Sequence, residues 1–129
     1  MIAHDVIQRA IRAYFETVCA LDAAGCAQVF AADARMYNPP GAPPTEGREA
    51  IRQALEPLLG ACQRLTAAPV QTFINGNGAA VLYRGELTAK AGATVPFEGI
   101  DVFEVDATGQ IQEIRYYWDP GPVMAALRG

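Results

Sequence analysis

The sequence contains few of the residues that bind metals or form the disulfide bonds of small secreted domains. It has one histidine and three cysteines, and Cys19, Cys26 and Cys62 do not stand at the short spacings of zinc ligands. We therefore expect small buried thiols, no metal site and no cofactor.

Long apolar runs and an excess of basic residues are also missing. No stretch approaches the roughly 18 consecutive apolar residues of a membrane-spanning helix, and the first residues lack a basic segment followed by an apolar one. Ten Lys and Arg against 14 Asp and Glu give a formal net charge of −4, which disfavours binding to a phosphate backbone. These absences predict a cytoplasmic protein with no nucleic-acid or membrane partner.

The remaining composition is that of a globular domain. The 129 residues are 51% hydrophobic and 19% charged, and they contain no repeat or linker. This length predicts one domain over residues 1–129, large enough to bury a core.

The first half of the chain has helical periodicity. Apolar residues at spacings of three and four predict a helix over about 3–21 with Tyr14 facing inward. A shorter helix is predicted from 22 or 23 to 30. A third is predicted from an N-cap at Thr45 through Leu58.

A strand and a proline-rich loop separate the second and third of these helices. Residues 31–33 are predicted to form a turn before a strand over 34–38, in which Met36 makes one face apolar and places Asn38 on the same side. The four prolines of 39–44 remove hydrogen-bond donors and fix φ. They predict a rigid loop at the rim of a pocket.

The second half of the chain has the period of two that is typical of strands. Short turn-forming segments separate four predicted strands, at about 65–74, 79–89, 94–105 and 110–119. Successive strands joined this way should pair antiparallel. The chain is therefore predicted to be an α+β domain, with three N-terminal helices packed on a strongly curved, mostly antiparallel sheet that forms a cone around an internal pocket.

One predicted strand carries a carboxyl group on its apolar face. Alternation puts Asp101 on the same face as Phe97 and Phe103, and Gly99 leaves space beside it. Burial would favour the neutral carboxylic acid, which can donate a hydrogen bond. The alternative is an Asp at the strand rim with its charge in water.

Alternation also selects the side chains that should line the pocket. In the last strand it separates an inward face from an outward one, and Asp119 points away from Trp118. The predicted lining is Met36, Phe97, Phe103, Ile114, Tyr116 and Trp118. These side chains could equally form the core between sheet and helices.

The order of several residues resembles the ketosteroid isomerase family, a member of the nuclear transport factor 2-like and SnoaL-like group of cone folds. The likeness spans almost the whole chain. It comprises Tyr14, Asp22, Gly25, Phe30-Ala31-Ala32-Asp33-Ala34, Asn38-Pro39, Gly47 and Ile100-Asp101-Val102-Phe103. The Phe-Ala-x-Asp-Ala segment specifies architecture more strongly than function.

The resemblance implies roles for three residues. In that family a tyrosine on the first helix and a protonated aspartic acid on a late strand form an oxyanion hole, which matches Tyr14 and Asp101. Asn38 stands where the isomerases have the aspartate that moves the proton, and an amide cannot act as a general base. Glu98, Glu16 and Asp119 are poor replacements.

Three functions remain open. The first is isomerisation of a hydrophobic carbonyl compound, such as a steroid or polyketide, with Tyr14 and Asp101 as donors and Asn38 positioning the substrate. The second is a different reaction, such as cyclisation or hydration. The third is noncatalytic binding or a dimeric scaffold. The resemblance also implies a homodimer, for which Tyr83, Arg84, Arg115 and Tyr117 are predicted to lie on the outer sheet face.

Overall fold

The computed structural model describes residues 2–128. The elements, in chain order, are α1 His4–Cys19, α2 Ala23–Val29, β1 Phe30–Tyr37, β2 Thr45–Glu46, α3 Arg48–Gly60, β3 Cys62–Asn75, β4 Gly78–Ala89, β5 Thr94–Val105, β6 Ile111–Trp118 and α4 Gly121–Arg128. The predicted α+β class, with helices packed on a curved and mostly antiparallel sheet, is confirmed.

The six strands form one sheet in the order β2-β1-β6-β5-β4-β3. Strands β3 to β6 pair antiparallel with their sequence neighbours, as predicted, whereas β1 joins β6 in parallel. Strand β5, which carries Asp101, therefore lies between β4 and β6 in the interior of the sheet.

Helix α1 lies against the sheet through one apolar stripe. The buried residues of this stripe are Ile7, Ala10, Ile11, Tyr14 and Phe15. Burying a large apolar side chain contributes about 1.5–3 kcal/mol, so this face holds the helix on the sheet. The ring of Tyr14 meets Phe103 of β5 edge-on, with centroids 5.4 Å apart, which fixes the direction of the tyrosine.

Side-chain hydrogen bonds hold α2 and α3 in place. Asp22 caps α2 by accepting a hydrogen bond from the Gly25 amide at 2.8 Å, and a Cβ on Gly25 would collide with the Asp22 carboxylate. The guanidinium of Arg48 donates twice to the Phe30 carbonyl, from Nε at 3.1 Å and Nη2 at 2.8 Å. The start of α3 is thus tied to the junction of α2 and β1.

Two boundaries in this region were predicted wrongly. Strand β1 begins at Phe30 rather than at 34, because a register irregularity between Phe30 and Arg35 takes the predicted turn at 31–33 into the strand. Thr45 is not a helix cap, since it pairs with β1 in β2. The N-cap of α3 is Gly47, whose φ of 91° suits a glycine.

Helix α4, which follows β6, was not predicted from the sequence. Its Val123 is buried, and the helix packs on β4 and β5. Within residues 2–128, no helix combines the length and the apolar character that crossing a membrane requires.

The three cysteines are free thiols. Cys26 and Cys62 are buried, whereas Cys19 is partly exposed and donates its thiol to the Ala67 carbonyl at 3.4 Å. No cluster of three or more His, Cys, Asp or Glu residues that could hold a metal occurs in the described part of the chain.

Candidate functional site

A cavity of about 320 Å³ lies between the concave face of the sheet and helices α1 and α3. Most of its lining is apolar, and its polar groups come from α1, the sheet and the end of β1. The lining residues are Tyr14, Phe15, Val18, Met36, Asn38, Thr45, Ala54, Leu55, Leu58, Leu59, Leu65, Ala67, Tyr83, Phe97, Asp101, Tyr116 and Trp118. An apolar concave space with a few polar groups is the usual form of a small-molecule site.

Asp101 faces this cavity from the middle of the sheet and is only 2% exposed. It lies between Val81 of β4 and Tyr116 of β6, which are its register partners. Burial raises the pKa of Asp101 to about 8, and its Oδ1 atom has no hydrogen-bond partner within residues 2–128. At neutral pH the group is mostly a carboxylic acid, which can donate a hydrogen bond to an acceptor in the cavity.

Two tyrosines stand beside this acid. The hydroxyl oxygens of Tyr14 and Tyr116 are 2.7 Å apart and share a hydrogen bond. Burial raises the pKa of both tyrosines well above the ordinary value, so both hydroxyls are neutral. Tyr14, Tyr116 and Asp101 together form what we term the polar cluster, with one residue each from α1, β6 and β5.

Asn38 lies at the mouth of the cavity, immediately after β1. Its side chain is exposed, and its Oδ1 accepts a hydrogen bond from the indole Nε1 of Trp118 at 3.2 Å. This contact orients the amide at the edge of the apolar space. An amide in this place can bind a ligand or a water but cannot accept a proton at neutral pH.

The predicted lining residues divide into two groups. Met36, Phe97, Tyr116 and Trp118 line the cavity, as do Tyr14, Asn38 and Asp101. Phe103 and Ile114 are fully buried and lie in the core outside the lining, where Phe103 supports the ring of Tyr14.

Tyr83 lies on the inner face of the sheet, which corrects the prediction that it faces outward. Tyr83 is buried and lines the cavity, since it pairs with Gly99 in the antiparallel register and shares the inward face of Asp101. Strands β4 and β5 are joined by the turn at 90–93, so the inward face of β5 determines which residues of β4 face inward. Applying this pairing to the sequence would have identified Tyr83 as an inward residue. The apolar lining from α3 was also missed, namely Leu55, Leu58 and Leu59.

Asp101 is the only carboxyl group in the lining formed by the described residues. Glu98 is paired with Arg84 at 3.0 Å on the outer face, and Asp119 accepts a hydrogen bond from the Gly121 amide at 3.0 Å. Glu16 is exposed on α1. None of these three acids lines the cavity, so the lining contains no carboxylate opposite the polar cluster.

The fold and the cavity together define an α+β domain with a mostly apolar internal cavity. The sequence profile of the SnoaL-like domain family matches residues 11–114. The chain belongs to this family, which confirms the predicted resemblance.

The chain is similar to a steroid delta-isomerase from Nocardioides simplex, with 31% identity over 119 residues that cover 92% of this chain and 94% of the relative. Its fold is similar to that of the epoxide hydrolase/cyclase-like enzyme SalBIII, with a TM-score of 0.81 and 24% identity over 95% of this chain and 97% of that one. RV0760c from Mycobacterium tuberculosis, solved with estradiol-17β-hemisuccinate, has a TM-score of 0.77 and 22% identity over 91% and 96% of the two chains.

Proposed function

We propose that the protein binds a hydrophobic carbonyl compound, such as a steroid or a polyketide, with the carbonyl oxygen held by Tyr14 and Asp101. In this proposal the two residues form an oxyanion hole that stabilises the dienolate of an isomerisation. Asn38 positions the ligand at the mouth of the cavity.

The observation that carries the proposal is the unpaired Oδ1 of the buried, neutral Asp101 beside the Tyr14 hydroxyl. Buried polar atoms are almost always hydrogen-bonded. A buried oxygen that faces the cavity and has no hydrogen-bond partner therefore requires an explanation. A ligand oxygen would accept hydrogen bonds from both groups. Such donors stabilise a developing negative charge more than a neutral ketone.

Two of the similar proteins also support a steroid-like ligand. One relative is named a steroid delta-isomerase, and one fold neighbour was solved with a steroid ester. Isomerisation also requires a group that removes a proton and returns it to another carbon. Because Asn38 cannot do this, we propose that the protein binds such ketones well and isomerises them slowly.

The test is a titration with a phenolic steroid, whose acidic hydroxyl group mimics the dienolate oxygen. Affinity should fall about 10- to 100-fold in Tyr14→Phe and in Asp101→Ala, because hydrogen bonds to a charged oxygen contribute about 1.5–3 kcal/mol. Tyr117→Phe, on the outer face, is the matched control. Equal affinity in all four proteins would refute the proposal.

A second candidate is an acid-catalysed cyclisation, which the protonated state of Asp101 favours. The acid would donate its proton to an epoxide oxygen as the C–O bond breaks, while a hydroxyl group of the same substrate attacks the carbon and returns its proton to the carboxylate. One fold neighbour is described as an epoxide hydrolase/cyclase-like enzyme. Turnover of a hydroxy-epoxide that vanishes in Asp101→Asn would favour this chemistry, whereas unchanged substrate with the wild type would exclude it.

We also propose that the protein forms a homodimer through the outer face of the sheet. Ile100 and Tyr117 are register partners there and are 42% and 50% exposed, and Phe73 of β3 is 63% exposed. Sedimentation equilibrium should give twice the monomer mass for the wild type and the monomer mass for Ile100→Asp. A monomeric wild type would contradict the dimer.

A further inference from the structure

The Tyr83 hydroxyl is a polar group of the cavity that neither the oxyanion hole nor the fold accounts for. The residue is buried on β4, and its ring contacts Phe97 and Phe15, each with centroids 5.9 Å apart. Its hydroxyl bonds to no residue among 2–128, and since Asp101 Oδ1 is the only fully buried side-chain oxygen or nitrogen without a partner there, the Tyr83 hydroxyl is open to the cavity. Buried tyrosines usually find a partner for the hydroxyl, and the ring contacts alone would be satisfied by phenylalanine.

Gly99 provides the space for this hydroxyl. A Cβ at Gly99 would lie 2.8 Å from the Tyr83 hydroxyl oxygen and 2.7 Å from the Tyr117 carbonyl oxygen. Any side chain at position 99 would therefore displace the hydroxyl or the strand. Because Gly99 has no side chain, the Tyr83 hydroxyl can lie near Asp101 on the concave face of the sheet.

The register gives the spacing between this donor and the polar cluster. Tyr83, Gly99 and Trp118 form one row across the sheet, and Val81, Asp101 and Tyr116 form the next row. Two residues along a strand separate the rows, which corresponds to about 7 Å between their backbones. A ligand whose first oxygen lies at Asp101 would pass the Tyr83 hydroxyl on its way to the mouth at Trp118.

We propose that Tyr83 is a specificity residue whose hydroxyl binds a second oxygen of the ligand. The cavity then selects compounds with two oxygen groups over compounds with one carbonyl or phenol. This inference rests on the proposed function, because the first oxygen is the one held by Tyr14 and Asp101. It narrows the ligand class to dioxygenated compounds with an apolar frame.

The test compares 2-naphthol with dihydroxynaphthalene isomers in which the second hydroxyl stands at increasing separations. Each is titrated calorimetrically into the wild type, Tyr83→Phe, Tyr14→Phe and the outer-face control Tyr117→Phe. At least one isomer should bind the wild type about five- to tenfold more tightly than 2-naphthol, as one added hydrogen bond allows. Tyr83→Phe should remove that advantage, so that the isomer and 2-naphthol bind this variant within about twofold of each other, as expected when the added bond is lost.

The inference is overturned if no isomer has an advantage, or if Tyr83→Phe weakens 2-naphthol as much as the isomers. In either case Tyr14→Phe should still weaken 2-naphthol, so the proposed function would stand. If 2-naphthol affinity does not depend on Tyr14, the proposed function and this inference both fail. Equal losses in Tyr83→Phe and Tyr117→Phe would likewise contradict a role for the cavity hydroxyl.

Discussion

Replacing Asp101 by asparagine should stabilise the protein at neutral pH. Burial raises the pKa of Asp101 to about 8 in the folded protein, whereas an unfolded Asp titrates near 4. At pH values between these two pKa values, folding therefore takes up a proton. The free energy of unfolding of the wild type falls as pH rises through that range. Asparagine has nearly the same shape and takes up no proton.

The magnitude follows from the width of the window. One protonating group changes the free energy of unfolding by at most about 1.4 kcal/mol per pH unit. From pH 5 to pH 7 the folded acid stays mostly neutral and the unfolded one is ionised. The wild type should therefore lose about 2–3 kcal/mol from this group over the two units. Asp101→Asn should lack this loss.

Urea unfolding at pH 5, 6 and 7, followed by the fluorescence of the single tryptophan Trp118, measures the effect. The quantity to compare is the unfolding free energy of the variant minus that of the wild type, because other titrating groups cancel in it. It should increase with pH. Glu104→Gln, an exposed position on the same strand, is the control. A difference for Asp101→Asn that does not change with pH would refute the neutral acid.

Two further substitutions test the packing that supports the site. Gly99→Ala should lower the free energy of unfolding by about 1–3 kcal/mol, because the new methyl group would lie 2.7 Å from the Tyr117 carbonyl oxygen. Gly41→Ala is its control, since a Cβ there meets no atom within 4 Å, and equal stability of the two variants would contradict the close approach. Asp22→Ala should cost about 1 kcal/mol in urea unfolding, because the Gly25 amide loses its cap at the start of α2; an unchanged midpoint would argue against that cap.

Alternation along single strands was sufficient to place some site residues. Asp101 interrupts an apolar face of β5, so its inward position and burial were predictable without knowing any neighbour. Tyr83 required one further step, because its face follows from the pairing of β4 with β5. Judged on β4 alone, it was assigned to the wrong side.

Contacts between distant segments were less accessible to sequence reasoning. The hydrogen bond between Tyr14 and Tyr116 joins residues 102 positions apart, and its geometry depends on how α1 lies on the sheet. The bond from Trp118 to Asn38 likewise depends on the parallel pairing of β1 with β6. Parallel pairing of strands so far apart has no local signature comparable to a hairpin turn.

Asn38→Asp tests most directly whether this cavity contains an oxyanion hole that lacks its base. The new carboxylate would accept the hydrogen bond that Trp118 now gives to the amide, so it should occupy the same place. Isomerisation of a β,γ-unsaturated ketosteroid should increase at least about 100-fold over the wild type, as a positioned base commonly contributes. Adding Tyr14→Phe should remove most of the gain.

The control for the new carboxylate is Asn38→Ala, which removes the amide without adding a base. An Asn38→Asp protein that binds the phenolic steroid as the wild type does, but isomerises the ketone no faster than Asn38→Ala, would contradict the claim.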